Sequence, residues 1–409
     1  MGTVAKPWYR LLLGLLVAFP TPAWPGAGAG LPWDLKSLSK APRVYEAKTE
    51  EPGVRALYYE SVPFRGRATR VFAYYGVPAG RKLPAMVLVH GGGGTAFAEW
   101  VRLWNRRGYA AIAMDTCGYE PGKAPSDKPW EPTKQRQLYG GPEGWDASFE
   151  TTAEPVTDQW TYHAVAAVIL AHSLIRSFPE VNPHRIGVTG ISWGGYLTSI
   201  VAGVDSRFRF GAPIYGCGYL GDDSVWTKDF QKMGSEQANK WLGLWDPSHY
   251  LPNARMPLLW VSGTNDFAYP LDSLRKSYEL PQGPRTLVIR LRMPHGHIEG
   301  ATPAEIGAFA DSILKGGDPL PRVWMVSQGT LAYASPHPIT TAQLAFTQDD
   351  GPWLDHRRWE TVPAHLDPGA RRVSAEIPAG AIAWYFMLTD DRSLTVTSDL
   401  IFAGGEKAR

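Results

Sequence analysis

Arg185-Ile186-Gly187-Val188-Thr189-Gly190-Ile191-Ser192-Trp193-Gly194-Gly195-Tyr196-Leu197 is the stretch that decides the fold. Residues 185–189 read as a β-strand, and residues 193–204 carry apolar side chains at helical spacing. Only Gly190-Ile191-Ser192 lies between them, so strand must pass to helix through a very sharp turn. A Gly-x-Ser-x-Gly match by itself is weak, but on a strand–turn–helix junction it describes a nucleophile elbow. Side chains at Gly190 and Gly194 would collide with neighbouring backbone there. The turn lifts Ser192 above the sheet, next to a helix N-terminus that favours developing negative charge.

Working outward, residues 84–89 form a continuous apolar run, as in a strand buried on both faces, and His90-Gly91-Gly92-Gly93-Gly94 follows at once. Glycines let backbone N–H groups approach a ligand closely. Gly91 and Gly92, together with the N–H of Trp193, are the expected oxyanion donors. A phosphate-cradling loop is the rival reading. It is disfavoured because no Lys-Ser/Thr pair follows and no Gly-x-Gly-x-x-Gly opens a dinucleotide unit. His90 precedes the nucleophile and is read as structural.

A nucleophilic serine needs a base, and the base needs an orienting carboxylate, in the chain order Ser, Asp/Glu, His for this type of sheet. Asp266 follows the strand at residues 257–261, and Pro294-His295-Gly296-His297 follows the strand at 286–291. Both groups fall at the carboxyl edge of the sheet, where Ser192 emerges. His297 is the expected base because Gly296 permits a sharp loop before it, and His295 is the alternative. A partial zinc site from His295, His297 and Glu299 lacks further ligands in the sequence, so no metal is expected.

Strands at 70–75, 84–89, 109–114, 185–189, 210–215, 257–261 and 286–291 alternate with helical stretches at 99–107, 158–177 and 193–204. That alternation implies an α/β fold: a doubly wound, mostly parallel sheet covered on both faces. A last helix to residue 314 is expected to open with Thr302 as N-cap, Pro303 at its first position and Glu305 closing a capping box. Residues 118–156 are rich in Pro, Gly and Trp and read as a long insertion or lid. Trp130, Tyr139 and Trp145 within it are candidate pocket residues. After residue 318 only short strand-like segments and turns remain, so 319–409 is expected to be a small β-sandwich domain behind a catalytic domain at 30–318.

Composition narrows the partners. A net charge of +2 over 409 residues, with no sustained basic run, gives no reason to expect nucleic acid or an anionic membrane. Lys6 and Arg10, the apolar stretch 11–19 and small residues to Ala29 have the layout of a secretory signal peptide spanning 1–29. The apolar stretch is too short to cross a bilayer, which takes about 20 residues. A secreted or periplasmic protein without a membrane span is expected. In that setting Cys117 and Cys217, each following a core strand, are candidates for one disulfide.

The elbow, the glycine loop and the acid and histidine after successive strands resemble the α/β-hydrolase superfamily over roughly residues 60–316. Gly263-Thr264-Asn265-Asp266 and Gly296-His297 are similar to the acetylxylan esterase, dienelactone hydrolase and prolyl oligopeptidase-like branch. The resemblance implies acyl transfer to serine followed by hydrolysis, without metal or organic cofactor. It also implies small-molecule or polysaccharide esters as substrates. A serine peptidase of the prolyl oligopeptidase-like type is the alternative. The short segment before the hydrolase region counts against it, being far below the ~160 residues of even a four-bladed propeller.

Overall fold

The computed structural model describes residues 30–351 and 357–403, so the proposed signal peptide lies outside the described residues. Six parallel strands form the centre of the main sheet, in the order Ala110–Met114, Leu83–Val89, Val181–Ile191, Gly211–Ile214, Leu258–Gly263 and Arg285–Arg290. Residues 85–89 and 110–114 are wholly buried. This explains why these strands read as unbroken apolar runs: both faces are covered. An antiparallel hairpin, Arg55–Phe64 and Arg67–Gly76, extends one side.

Two pairs of helices cover this sheet. Trp160–Ser177 is apolar around most of its circumference and buried from Trp160 to Ile175 except at Tyr162, as expected for a helix packed on all sides. It lies beside Trp193–Val204. Ala98–Arg106 and Ala304–Leu314 make the other pair, joined by Arg107 to Asp311 at 2.8 Å and by the Tyr109 hydroxyl donating to Asp311 at 2.7 Å. The capping box expected at residue 302 is not formed. Pro303 occupies the N-cap position, and the buried Glu305 carboxylate instead takes Arg290 at 2.6 Å and the Thr395 N–H at 2.9 Å. A buried carboxylate is costly unless paired, and those partners outcompete the local cap.

The same carboxylate ties on the C-terminal region. Thr395–Thr397 pairs antiparallel with Arg285–Arg290 through Leu287 and Thr397, so Ala383–Asp390, Ile339–Thr347 and Glu360–Pro363 continue the central sheet. A second, four-stranded sheet, ordered Arg322–Ser327, Thr330–Ala334, Arg372–Ser374, His365–Asp367, supplies the other layer of strands. The C-terminal strands therefore share the backbone ladder of the central sheet, and the described residues from Leu31 onward form one compact unit.

Cys117 and Cys217 are buried free thiols, so the candidate disulfide is not formed. Cys117 follows Ala110–Met114 and Cys217 follows Gly211–Ile214, three strand positions apart in the sheet. At about 4.8 Å per strand the two are roughly 14 Å apart, well beyond the ~7 Å Cα limit for a bridge. Burial pushes the Cys117 thiol up to about 12, so it is inert.

Candidate active site

Ser192 sits at φ +57° and ψ −118°, a backbone conformation that L-residues rarely adopt. Tight packing holds it there. A Cβ at Gly190 would lie 2.1 Å from the Gly194 carbonyl oxygen, and one at Gly194 would lie 2.0 Å from the Val89 oxygen. The Ser192 N–H donates to Ile214 at 2.9 Å, and its carbonyl accepts from Tyr196 at 2.9 Å. The strain is stored where the neighbouring strand and helix over-determine the turn. As the first residue of its helix, Trp193 has an N–H with no intrahelical acceptor.

The acid and the histidines are arranged differently from the sequence expectation. Asp266, buried after strand Leu258–Gly263, presents Oδ2 to His295 Nδ1 at 2.6 Å. Its Oδ1 accepts the N–H groups of Ala268 at 2.9 Å and Tyr269 at 2.8 Å, which fixes the carboxylate. His295 stacks on Tyr215, ring centroids 4.4 Å apart, and borders Phe267 at 4.9 Å. Tyr215 follows the strand Gly211–Ile214, whose last carbonyl holds the Ser192 N–H, and its hydroxyl donates to Pro294. Ser192, Asp266 and His295 thus follow strands Val181–Ile191, Leu258–Gly263 and Arg285–Arg290 of one sheet, with Gly211–Ile214 between the first two.

His297 does not pair with Asp266, which corrects the sequence expectation. The loop reverses at Arg292, φ +49°, and delivers His295 to Asp266. Gly296 then opens the short helix His297–Ala301, which turns the His297 ring toward the glycine loop. There Nε2 accepts the Gly91 N–H at 3.0 Å, and the ring packs on Phe97 at 4.8 Å. The Gly91 N–H, expected to face an oxyanion, is therefore engaged by a side chain. A Cβ at Gly94 would lie 2.7 Å from His297 Nε2, so glycine is required for this approach. Burial, with the positive fields of His90, His295 and Lys134, pushes the His297 imidazole down to about 3. It is neutral at pH 7 and free to accept.

His90 is buried. Its Nε2 accepts the Thr116 N–H at 3.0 Å, and burial lowers its pKa. The insertion is an ordered cover. Lys134 donates to Gly93 at 2.7 Å, and Tyr119 N–H donates to Asp115 at 2.8 Å. Trp145 stacks on Trp193, with centroids 5.1 Å apart and planes 14° from parallel, while its Nε1 edge covers Gly92. One indole thereby touches both expected oxyanion segments. Trp130 packs on Phe97 at 5.2 Å, one ring removed from His297. Tyr139 is not in the site: it lies exposed over Arg70, 4.3 Å from that guanidinium. Sequence reasoning passed over Trp226 and Phe149, which pack on Trp193 at 4.6 and 6.2 Å. Their only signal was aromatic content, which does not distinguish site from core.

A mostly parallel sheet carrying a strained serine elbow, with a carboxylate–histidine pair on the adjoining strand ends, defines an α/β-hydrolase. The sequence profile of the acetyl xylan esterase (AXE1) family matches residues 34–250, more than half the chain, and the protein belongs to that family. It is a hydrolase acting on carboxylic ester bonds. Among solved structures it is similar to an acetyl xylan esterase from Paenibacillus sp. R4, with a TM-score of 0.54 at 20% identity over 68% of this chain and 92% of that one. It is also similar to acetyl xylan esterase 1 from Thermoanaerobacterium sp. JW/SL YS485, with a TM-score of 0.51 at 18% identity over 69% and 93% of the two chains. At these identities the likeness shows the fold. A curated relative, the uncharacterized peptidase YuxL of Bacillus subtilis (strain 168), is 28% identical over 118 residues, covering 25% of this chain. The match spans 17% of that relative's length.

Proposed function

We propose that the protein is an exported serine esterase that removes acetyl or other short acyl groups from polysaccharides, using Ser192, His295 and Asp266 as its triad. The observation that carries this reading is the 2.6 Å Asp266–His295 bond at the same edge of the sheet as a serine held at φ +57°. Asp266 fixes the imidazole with its Nδ1–H toward the carboxylate. That tautomer leaves Nε2 as the base for the Ser192 proton. Attack on the ester carbonyl gives a tetrahedral oxyanion, for which the Trp193 N–H is the donor. His295 then protonates the departing alcohol, and water repeats the sequence on the acyl-enzyme.

Trp193, the residue after the serine, packs with Trp145 and Trp226 in mutual contact, and we take these rings as the wall on the acyl side. That wall favours small acyl groups. Family membership in the acetyl xylan esterases points the same way. The residues 1–29 pattern supports export, and among the described residues no helix is long and apolar enough to cross a membrane. Purified protein is expected to hydrolyse aryl acetates faster than aryl octanoates, and Ser192→Ala to abolish both. Equal turnover by the Ser192→Ala protein overturns the assignment. Faster turnover of dipeptide amides than of acetate esters would favour a peptidase instead.

A further inference from the structure

Trp145 joins the two segments that flank the nucleophile. Gly91 lies against Ser192: a Cβ at Gly91 would sit 3.0 Å from Ser192 Cβ. Trp145 touches the residue that follows each member of that contact. Its ring lies nearly flat on Trp193, centroids 5.1 Å apart, and its Nε1 edge fills the space in which a Cβ at Gly92 would stand. Glycine at position 92 is what lets the indole approach so closely. A single side chain thereby spans the glycine loop and the elbow and closes one side of the nucleophile.

This indole differs from the rings it leans on. Trp193 and Trp226 are 2% and 5% exposed and are locked among further rings. Trp193 also meets Trp160, Tyr196 and Trp241, and Trp226 meets Tyr269. Those two tryptophans are core. Trp145 is only partly buried and belongs to the insertion, where it opens the single 3₁₀ turn Trp145–Ser148. The same stretch borders an open groove of about 460 Å³, lined by Asp146, Phe149 and Glu150 together with Asp229 and Lys232 of the helix Thr227–Met233. Shortening Trp193 would leave a cavity in the core. Shortening Trp145 enlarges the room beside Ser192 and leaves the core rings in place.

We infer that Trp145 is the residue that limits acyl length, its indole occupying the path that a chain longer than acetyl would take from the nucleophile. The inference rests on the triad reading above. Three of the four groups on the tetrahedral carbon then have assigned directions. One is the Ser192 oxygen, the second is the oxyanion toward the Trp193 N–H, and the third is the leaving oxygen toward His295, from which it takes a proton. The acyl chain takes the fourth direction, away from His295, and there it meets the indole that lies on Trp193.

The test compares kcat/KM for aryl acetate, butyrate and octanoate in the native enzyme and in Trp145→Ala, Trp145→Phe and Tyr139→Ala. Each methylene brought out of water is worth about fourfold. The butyrate-to-acetate ratio is therefore expected to rise about tenfold in Trp145→Ala, for two methylenes, and about fourfold in Trp145→Phe, for one. Octanoate is expected to gain more than butyrate in Trp145→Ala. Tyr139→Ala alters an exposed ring of the same insertion and is expected to keep the native ratio. Acetate turnover by each variant reports that it is folded. A native ratio in Trp145→Ala with acetate turnover retained overturns the inference. So does an equal rise in Tyr139→Ala, which would mean a general loosening of the insertion. If Trp145→Ala loses all turnover, Trp145→Phe decides, and an unchanged ratio there overturns the inference. Failure of the native enzyme on all three esters overturns the triad reading instead.

Discussion

The serine elbow and the histidine loop occupy the same edge of one sheet, yet they are constrained in opposite ways. At the elbow, each glycine is forced by backbone atoms within about 2 Å of any added Cβ, and those atoms come from the adjoining strand and helix. The conformation is written into the local pattern. In the histidine loop two imidazoles, separated only by Gly296, could each have reached Asp266. Which one does so depends on Tyr215 beneath His295, on the reversal at Arg292 and on the helix that begins at His297. A local motif specifies a local geometry, whereas a choice between two equivalent side chains is made by what surrounds them.

The comparison predicts unequal effects of similar mutations. Ser192→Ala and His295→Ala are expected to lower kcat by about 10⁴–10⁶ if the proposed triad acts as a unit. Asp266→Asn follows at about 10⁴, because the amide disfavours the tautomer that leaves Nε2 as base. Steady-state assays with an aryl acetate measure all three. Near-native activity in His295→Ala would return the base to His297 and break the contrast between the two regions.

Gly194→Ala tests the elbow as a folding element. The new methyl would lie 2.0 Å from the Val89 oxygen, so backbone must move. A loss of at least ~3 kcal/mol in denaturant-measured stability is expected, in the upper range for point mutants. An unchanged midpoint would show that the strain is not enforced by packing.

His297→Ala sharpens the comparison from the other side. Removing an acceptor from the Gly91 N–H frees the glycine loop but leaves the triad, so kcat/KM is expected to fall only about 10- to 100-fold. Losing one positioned oxyanion donor costs 10²–10³, and a loosened loop costs less than a lost donor. A fall as deep as that of His295→Ala would make the two histidines equivalent.

The smallest expected effect is on stability against pH. Burial pushes His297 down to about 3 and His163 and His172 down to about 4. Unfolded histidines titrate near 6.5. Between these values the unfolded chain binds more protons than the folded one, so stability is present above about pH 6.5 and is lost progressively on acidification. Tm is expected to fall steadily from pH 7 to pH 4. A flat profile would mean that these imidazoles are protonated in the folded state.

Much of this was legible in residue order. Alternating apolar runs and helical stretches specify a parallel sheet, because only strands covered on both faces read as unbroken apolar segments. Gly190 and Gly194 specify the elbow around Ser192, because a side chain at either glycine would collide with backbone. The His90–Gly94 run and the position of Asp266 after a core strand place the acid and the glycine loop at one edge. The identity of Asp266's partner was decided by tertiary contacts, as was the seating of Trp145 across Trp193 and Gly92. So were the separation of Cys117 from Cys217 and the diversion of Glu305 from a helix cap to Arg290 and Thr395. The physical reason is the same in each case. The backbone conformation of a tight turn is set within a few residues and can be read along the sequence. Pairing of polar and aromatic side chains is a competition among partners far apart in the chain, and only the folded arrangement shows which of them is near enough to win.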